Sequence, residues 1–116
     1  MSAIPYTILF TGHDGDSCFK AGEVLLSPNT VGLASSPTAV KNIIFGASPI
    51  DAQDWHNTPI QMYIIVLSGV MQIQISNGET RNFKAGDILL AEDLTGKGHI
   101  TRALNGESVN YLAVPL

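Results

Sequence analysis

Apolar and polar positions in this chain alternate with a period of two over short stretches, and turn signals separate the stretches about every eight to twelve residues. The clearest stretch is Val70 to Ser76, where apolar side chains alternate with the amides Gln72 and Gln74. A run of β-branched and apolar residues precedes it and ends at Gly69. Together the two runs predict a hairpin over Pro59 to Glu79. Asn77-Gly78 suits a two-residue type I′ turn, because both residues tolerate positive φ. Downstream, the pattern predicts strands over Glu79 to Lys84 and Ile88 to Ala91, joined by a Gly86-Asp87 turn. The loop Glu92 to Gly98 then delivers His99, and a turn at Asn105-Gly106 precedes a last strand over Tyr111 to Val114.

Upstream, Tyr6 to Phe10, Phe19 to Leu26 and Asn42 to Phe45 read as strands, the last ended by Gly46. Ser27 to Lys41, rich in Ser, Pro, Thr and Gly, reads as a loop with one short extended piece. Ala47 to Thr58 reads as the loop that carries Trp55 and His56. No long window has helical periodicity, and no repeat or linker divides the chain. The expectation is one all-β domain, a sandwich or a closed barrel.

Alternation also assigns side chains to faces. If His56 points inward and the segment stays extended, Thr58, Met62, Ile64 and Val66 point inward too, while Gln61, Tyr63 and Ile65 face out. A bulge at Pro59 would turn Gln61 inward instead. Met71, Ile73 and Ile75 share the inner face of their strand, and His99, Thr101 and Ala103 share another. An outward Tyr63 suits a subunit interface.

Composition narrows the partners. A net charge of −4, with six scattered basic residues, gives no footprint for a nucleic-acid backbone. The single cysteine, Cys18, excludes an internal disulfide and suits a reducing compartment. No stretch approaches a membrane span, and MSAIPYTILF lacks the basic region of a secretion signal, so a soluble cytoplasmic protein is expected. Only 14% of residues are charged against 45% hydrophobic, which implies an unusually apolar interior or a patch closed by another subunit.

The candidate chemistry lies around His56 and His99. Imidazole nitrogen accepts zinc, iron, nickel or copper, and an oxygenase-type iron site adds a carboxylate, for which Glu92 and Asp93 are nearest in sequence. A histidine held by a neighbouring carboxylate is equally a general base. Trp55 either stacks on a planar ligand or packs at the rim. Met62 makes the interior drier and favours an apolar or aromatic ligand. Thr95-Gly96-Lys97-Gly98 lacks the spacing and following helix of a phosphate loop, so its glycines are read as turning the chain before His99. The HDGD run at 13–16 is read as a turn on Asp14-Gly15. Cys18 has no basic neighbour in sequence to activate it and is read as structural.

WHNTPIQMYIIVLSG, then NGE, FKAGD and ILLAEDLTGKGH, resemble the two-motif core of the cupin superfamily, in a branch of short single-domain cupins with a W-H-N-x-P opening and an A-E-D-x-T-G-x-G-H closing signature. The resemblance covers about residues 44–114. It implies a double-stranded β-helix (jelly-roll β-barrel), with the strands within 6–26 completing the barrel or a dimer interface and the site at the barrel mouth. His56 falls on the first ligand position of the family and His99 on the ligand of the second motif. The other two positions fall on Thr58 and Met62, with Gln61 beside the latter. The resemblance thus implies a divalent metal (Fe, Mn, Ni or Zn) held by His56 and His99, with Gln61 or Glu92 completing the set. Strand parity around these histidines adds a substrate pocket of Thr58, Met62, Ile64, Met71 and Thr101, with Trp55 at its rim, and the resemblance implies a homodimer. Three function classes remain open: a metal-dependent oxygenase, isomerase, decarboxylase or lyase; a metal-free isomerase or cyclase with His99 or His56 as base; and a binding module without turnover.

Overall fold

The computed structural model describes residues 2–48 and 54–116, so part of the loop expected over Ala47 to Thr58 lies outside the described residues. The chain is all-β. Its strands are β1 (Ala3–Thr11), β2 (Ser17–Leu25), β3 (Ser27–Asn29), β4 (Gly32–Ala34), β5 (Ile44–Ala47), β6 (Met62–Ser68), β7 (Val70–Ile75), β8 (Thr80–Lys84), β9 (Ile88–Glu92), β10 (His99–Ala103) and β11 (Asn110–Pro115). Among the described residues no helix is long and apolar enough to cross a membrane.

The strands form a six-stranded sheet in the order β2-β1-β9-β6-β11-β5, a three-stranded sheet β10-β7-β8, and a two-stranded ribbon β3-β4. One apolar cluster joins the two larger sheets face to face. It takes Leu9, Val66, Leu89 and Ala91 from the first, and Met71, Ile73, Ile75 and Phe83 from the second. Each of the large aliphatic side chains buried there stabilises the fold by about 1.5–3 kcal/mol relative to exposure. The alternation within β7 follows the expected parity: Met71, Ile73 and Ile75 are buried, while Gln72 and Gln74 lie on the other face and bond Asn82 and Arg102.

The expected hairpin over Pro59 to Glu79 does not form as one unit. β6 pairs with β9 and β11, whereas β7 pairs with β8 and β10, so the chain changes sheets at Gly69. Gly69 makes this crossing at φ 78°, where an added Cβ would sit 2.8 Å from the Ser108 carbonyl oxygen. The hairpin is instead β7–β8, and its turn is not type I′. Only Gly78 has positive φ there, Ile75 N–H donates to the Glu79 carbonyl, and Gly78 N–H donates to the Ile75 carbonyl. That is a three-residue connection with glycine in the left-handed position. Asn105 and Gly106, at φ 60° and 68°, supply the paired positive values of a type I′ turn.

β5 runs two residues further than expected, because Gly46 lies within the strand instead of ending it. It sits opposite Tyr111, whose ring occupies the space a Cβ would take. The Ser27 to Lys41 region holds the ribbon β3-β4. β1 pairs in parallel with β9, Thr7 to Phe10 against Leu89 to Glu92.

Candidate functional site

At one end of the sandwich, four chain segments converge: the end of β9, the start of β2, the start of β10, and the stretch from Asp54 to Thr58. Strand alternation puts Leu89, Ala91 and then Asp93 on the inner face of the large sheet. Ser17 opens β2 opposite Thr11, next to β9 through β1. His99 opens β10 opposite Ile75, so Thr101 and Ala103 share its inward face. His56 lies alongside His99 as an isolated bridge, its N–H donating to the His99 carbonyl at 3.0 Å and its carbonyl accepting from the His99 N–H at 2.9 Å. Gly98 permits this approach: its φ is 77°, and a Cβ there would collide with the His56 carbonyl oxygen.

Asp93 is the centre of the site. It is 0% exposed, and its oxygens take three side-chain hydrogen bonds. Ser17 Oγ donates to Oδ2 at 2.8 Å, Thr58 Oγ1 donates to Oδ1 at 2.7 Å, and His99 Nδ1 lies 2.6 Å from Oδ2. The Thr58 N–H also donates to the Asp93 carbonyl at 3.2 Å. Burial pushes the Asp93 pKa up, but the bonds from His99, Thr58 and Ser17 outweigh it and hold the carboxyl below its ordinary value of 3.8. Asp93 is therefore a buried carboxylate. A carboxylate only accepts, so His99 Nδ1 donates to it, which leaves Nε2 as the one ring atom able to present a lone pair.

His56 is arranged in the same sense. Its Nδ1 donates to the Asp54 carbonyl at 2.8 Å, which leaves Nε2 as its basic atom. The two rings lie 4.5 Å apart between centroids, tilted by 59°. His99 is 5% exposed, while His56 is half-buried. The loop 94–98 is fixed from its outer side: Lys97 Nζ pairs with Asp16 Oδ1 at 2.8 Å, Ser76 Oγ donates to the same oxygen, and Thr11 Oγ1 donates to the Thr95 carbonyl at 2.8 Å.

Of the residues expected at the site, the structure brings together His56, His99 and Thr58. Met62 and Ile64 from the large sheet and Met71 from the small one pack in or against the core, and Thr101 is half-buried opposite Ile73. Trp55 is exposed beside His56. Gln61 and Glu92 lie elsewhere. β6 is extended from Met62, so Gln61 falls on the outer face with Tyr63, and its Nε2 donates to Glu92 Oε2 at 2.8 Å. Glu92 alternates out of the interior between Ala91 and Asp93.

Among the described residues no group of three His, Cys, Asp or Glu side chains is placed to hold a metal ion. Among the described residues the site offers two imidazole nitrogens, and the carboxylate beside them, Asp93, is already engaged by three partners. These residues do not make up the four-ligand set of the two-motif pattern. Among the described residues one cleft of about 470 Å³ lies between Tyr6, Ala21 and Phe83 and another of about 230 Å³ between Val24, Tyr63 and Val114; neither of these is lined by either histidine.

Sequence reasoning set Asp93 beside Glu92 as an equal candidate. The parity rule that oriented Met62 also separates these two, because Leu89, Ala91 and Asp93 share one face. Ser17 carried no comparable signal, since its role depends on how β1 and β2 pair. Against known proteins, no family model matches the chain, and no curated protein matches it.

Proposed function

We propose that this chain is a small cupin, a jelly-roll domain that binds a small apolar or aromatic organic molecule and converts it by general acid–base chemistry at His99. The supporting observation is the buried Asp93 carboxylate with its three donors. A carboxylate stripped of water is costly unless every oxygen is bonded. Here that investment fixes one imidazole in one tautomer, with Nε2 as the basic atom.

In this reading Nε2 of His99 removes a proton from a C–H or O–H of the ligand, and Asp93 offsets the positive charge the ring acquires. His56, 4.5 Å away, is placed to donate or relay a proton at a second position of the ligand. Removal at one atom and return at another is an isomerisation or a cyclisation, and it consumes no other reactant. The exposed Trp55 and Leu94, which flank the site in sequence, suit an apolar or aromatic body.

The test is carbon-bound hydrogen exchange in D2O, followed by proton NMR over a panel of small aromatic and enolisable carbonyl compounds. Deuterium uptake by any panel member that His99→Gln abolishes and Asp93→Asn slows by about 10²-fold or more supports the reading. Ligand-induced shifts of the His56 and His99 rings without any exchange would instead make the chain a binding module.

A second reading uses the same atoms. Both Nδ1 atoms are tied to an oxygen acceptor, which is how metal-bound imidazoles are commonly oriented, and a divalent ion would take the two Nε2 atoms. Metal content of untagged protein after loading with Fe(II), Mn(II), Ni(II) or Zn(II) decides it. About one ion per chain, lost in His56→Ala and in His99→Ala, favours this reading; less than about a tenth under every loading condition sinks it.

A further inference from the structure

A β-sheet edge presents unpaired N–H and C=O groups, and soluble proteins guard such edges with charge, proline, brevity or a cover. The two larger sheets have four edges: β2, β5, β8 and β10. β2 carries Lys20 and Glu23, β8 carries Arg81 and Lys84, and β10 carries Arg102 and is bridged by His56. β5 differs from all three. No charged residue stands between Lys41 and Asp51, and β5 contains no proline. Its ladder runs only to β11, and among the described residues no other backbone group bonds to it. Among the described residues its short length is the one guard it has, yet Ile43, Ile44 and Phe45 are 60%, 49% and 78% exposed.

From this contrast we propose that the β5 edge is where a second copy of this chain docks, strand against strand in antiparallel register about a two-fold axis. Only another strand satisfies the free backbone groups of an edge. An uncharged, apolar strand is complementary to itself, because nothing on it repels an identical partner. The join makes one continuous twelve-stranded sheet from two six-stranded ones.

The outer-face Phe45, opposite Leu112, then lies beside its counterpart across the axis. A specific interface buries about 800 Å² on each partner. Four residues of edge supply part of that, so the contact extends over Ile43 and Phe45 toward Val40, which is also exposed. This surface is distinct from an exchange of N-terminal strands, because β1 is already paired on both sides, with β2 and with β9.

The test is sedimentation velocity on the full chain across a range of concentrations, with circular dichroism to show that each variant folds. Wild type is expected at twice the 12.3 kDa chain mass, and Phe45→Lys at the monomer mass. Phe45 is so exposed that the lysine should not disturb folding. Ile4→Lys and Leu33→Lys, exposed apolar positions away from the edge, should remain dimeric. Backbone amides of Ile44 to Ala47 should gain exchange protection as concentration rises. A wild-type monomer at about millimolar concentration overturns the proposal. So does a dimer that survives Phe45→Lys but is lost in Ile4→Lys or Leu33→Lys, which would place the join on the N-terminal strand or the ribbon.

Discussion

Replacing Asp93 with Asn tests whether this carboxylate is the electrostatic centre of the site. The amide oxygen can take the Oδ2 position and still accept from Ser17 and His99. The amide nitrogen then faces Thr58 Oγ1, which can reverse its hydroxyl and accept. Shape is therefore retained, and what disappears is charge assistance. Hydrogen bonds to an ionised group contribute about 1.5–3 kcal/mol and neutral ones about 0.5–1.5, so three converted bonds cost about 3–4.5 kcal/mol near neutral pH.

For a chain of this size each kcal/mol moves the melting temperature by about 4 °C, which gives a drop of roughly 12–18 °C. The pH dependence carries a sign. Asp93 has a folded pKa below its ordinary 3.8, so its contribution is present above that value and is lost as pH falls through the folded value. Thermal melts of wild type and Asp93→Asn should therefore differ most near neutral pH and converge below about pH 4. A variant within about 0.5 kcal/mol of wild type at neutral pH would refute the reasoning, as would a gap that stays constant down to about pH 3.

Two further outcomes follow from the loop that carries His99. Gly98→Ala forces a Cβ against the His56 carbonyl at a φ of 77°, so it should cost at least about 2 kcal/mol by urea denaturation and disturb the His56 and His99 ring signals together. Lys97→Met removes an exposed ion pair with Asp16, and its effect on melting should be small and should shrink further as salt is added. Asp16 also holds the Lys97 pKa above 10.5, so wild type alone should lose a small increment of stability as pH rises through that range.

Local pattern was legible in the sequence wherever one face of a strand meets the core. Met71, Ile73 and Ile75 declared their face by period, and Met62, Ile64 and Val66 did the same. What the pattern could not supply was the partner of each strand. β6 and β7 read as a hairpin because they adjoin in sequence, yet they belong to opposite sheets, and the only local trace of that crossing is Gly69. The parallel pairing of β1 with β9 has no local signature, and with it goes the approach of Ser17 to Asp93. The two histidines were legible as residue types. Their common orientation was not, because it depends on a backbone carbonyl at Asp54 and on a carboxylate whose face is set by strand parity.

The three hydroxyl and imidazole groups on Asp93 come from positions 76, 35 and 6 residues away along the chain. While the chain is still assembling, water solvates this carboxylate. It can give up that water without penalty only after β2, the segment at Thr58 and β10 have all arrived, and loops that long close late. Drying of Asp93 is thus among the last events of folding, on the native side of the transition state. Asn at this position should leave the refolding rate nearly unchanged and steepen the loss through faster unfolding, which stopped-flow chevrons would resolve. The base that would act on a ligand is also a marker of completion: a chain in which it is correctly formed has finished folding.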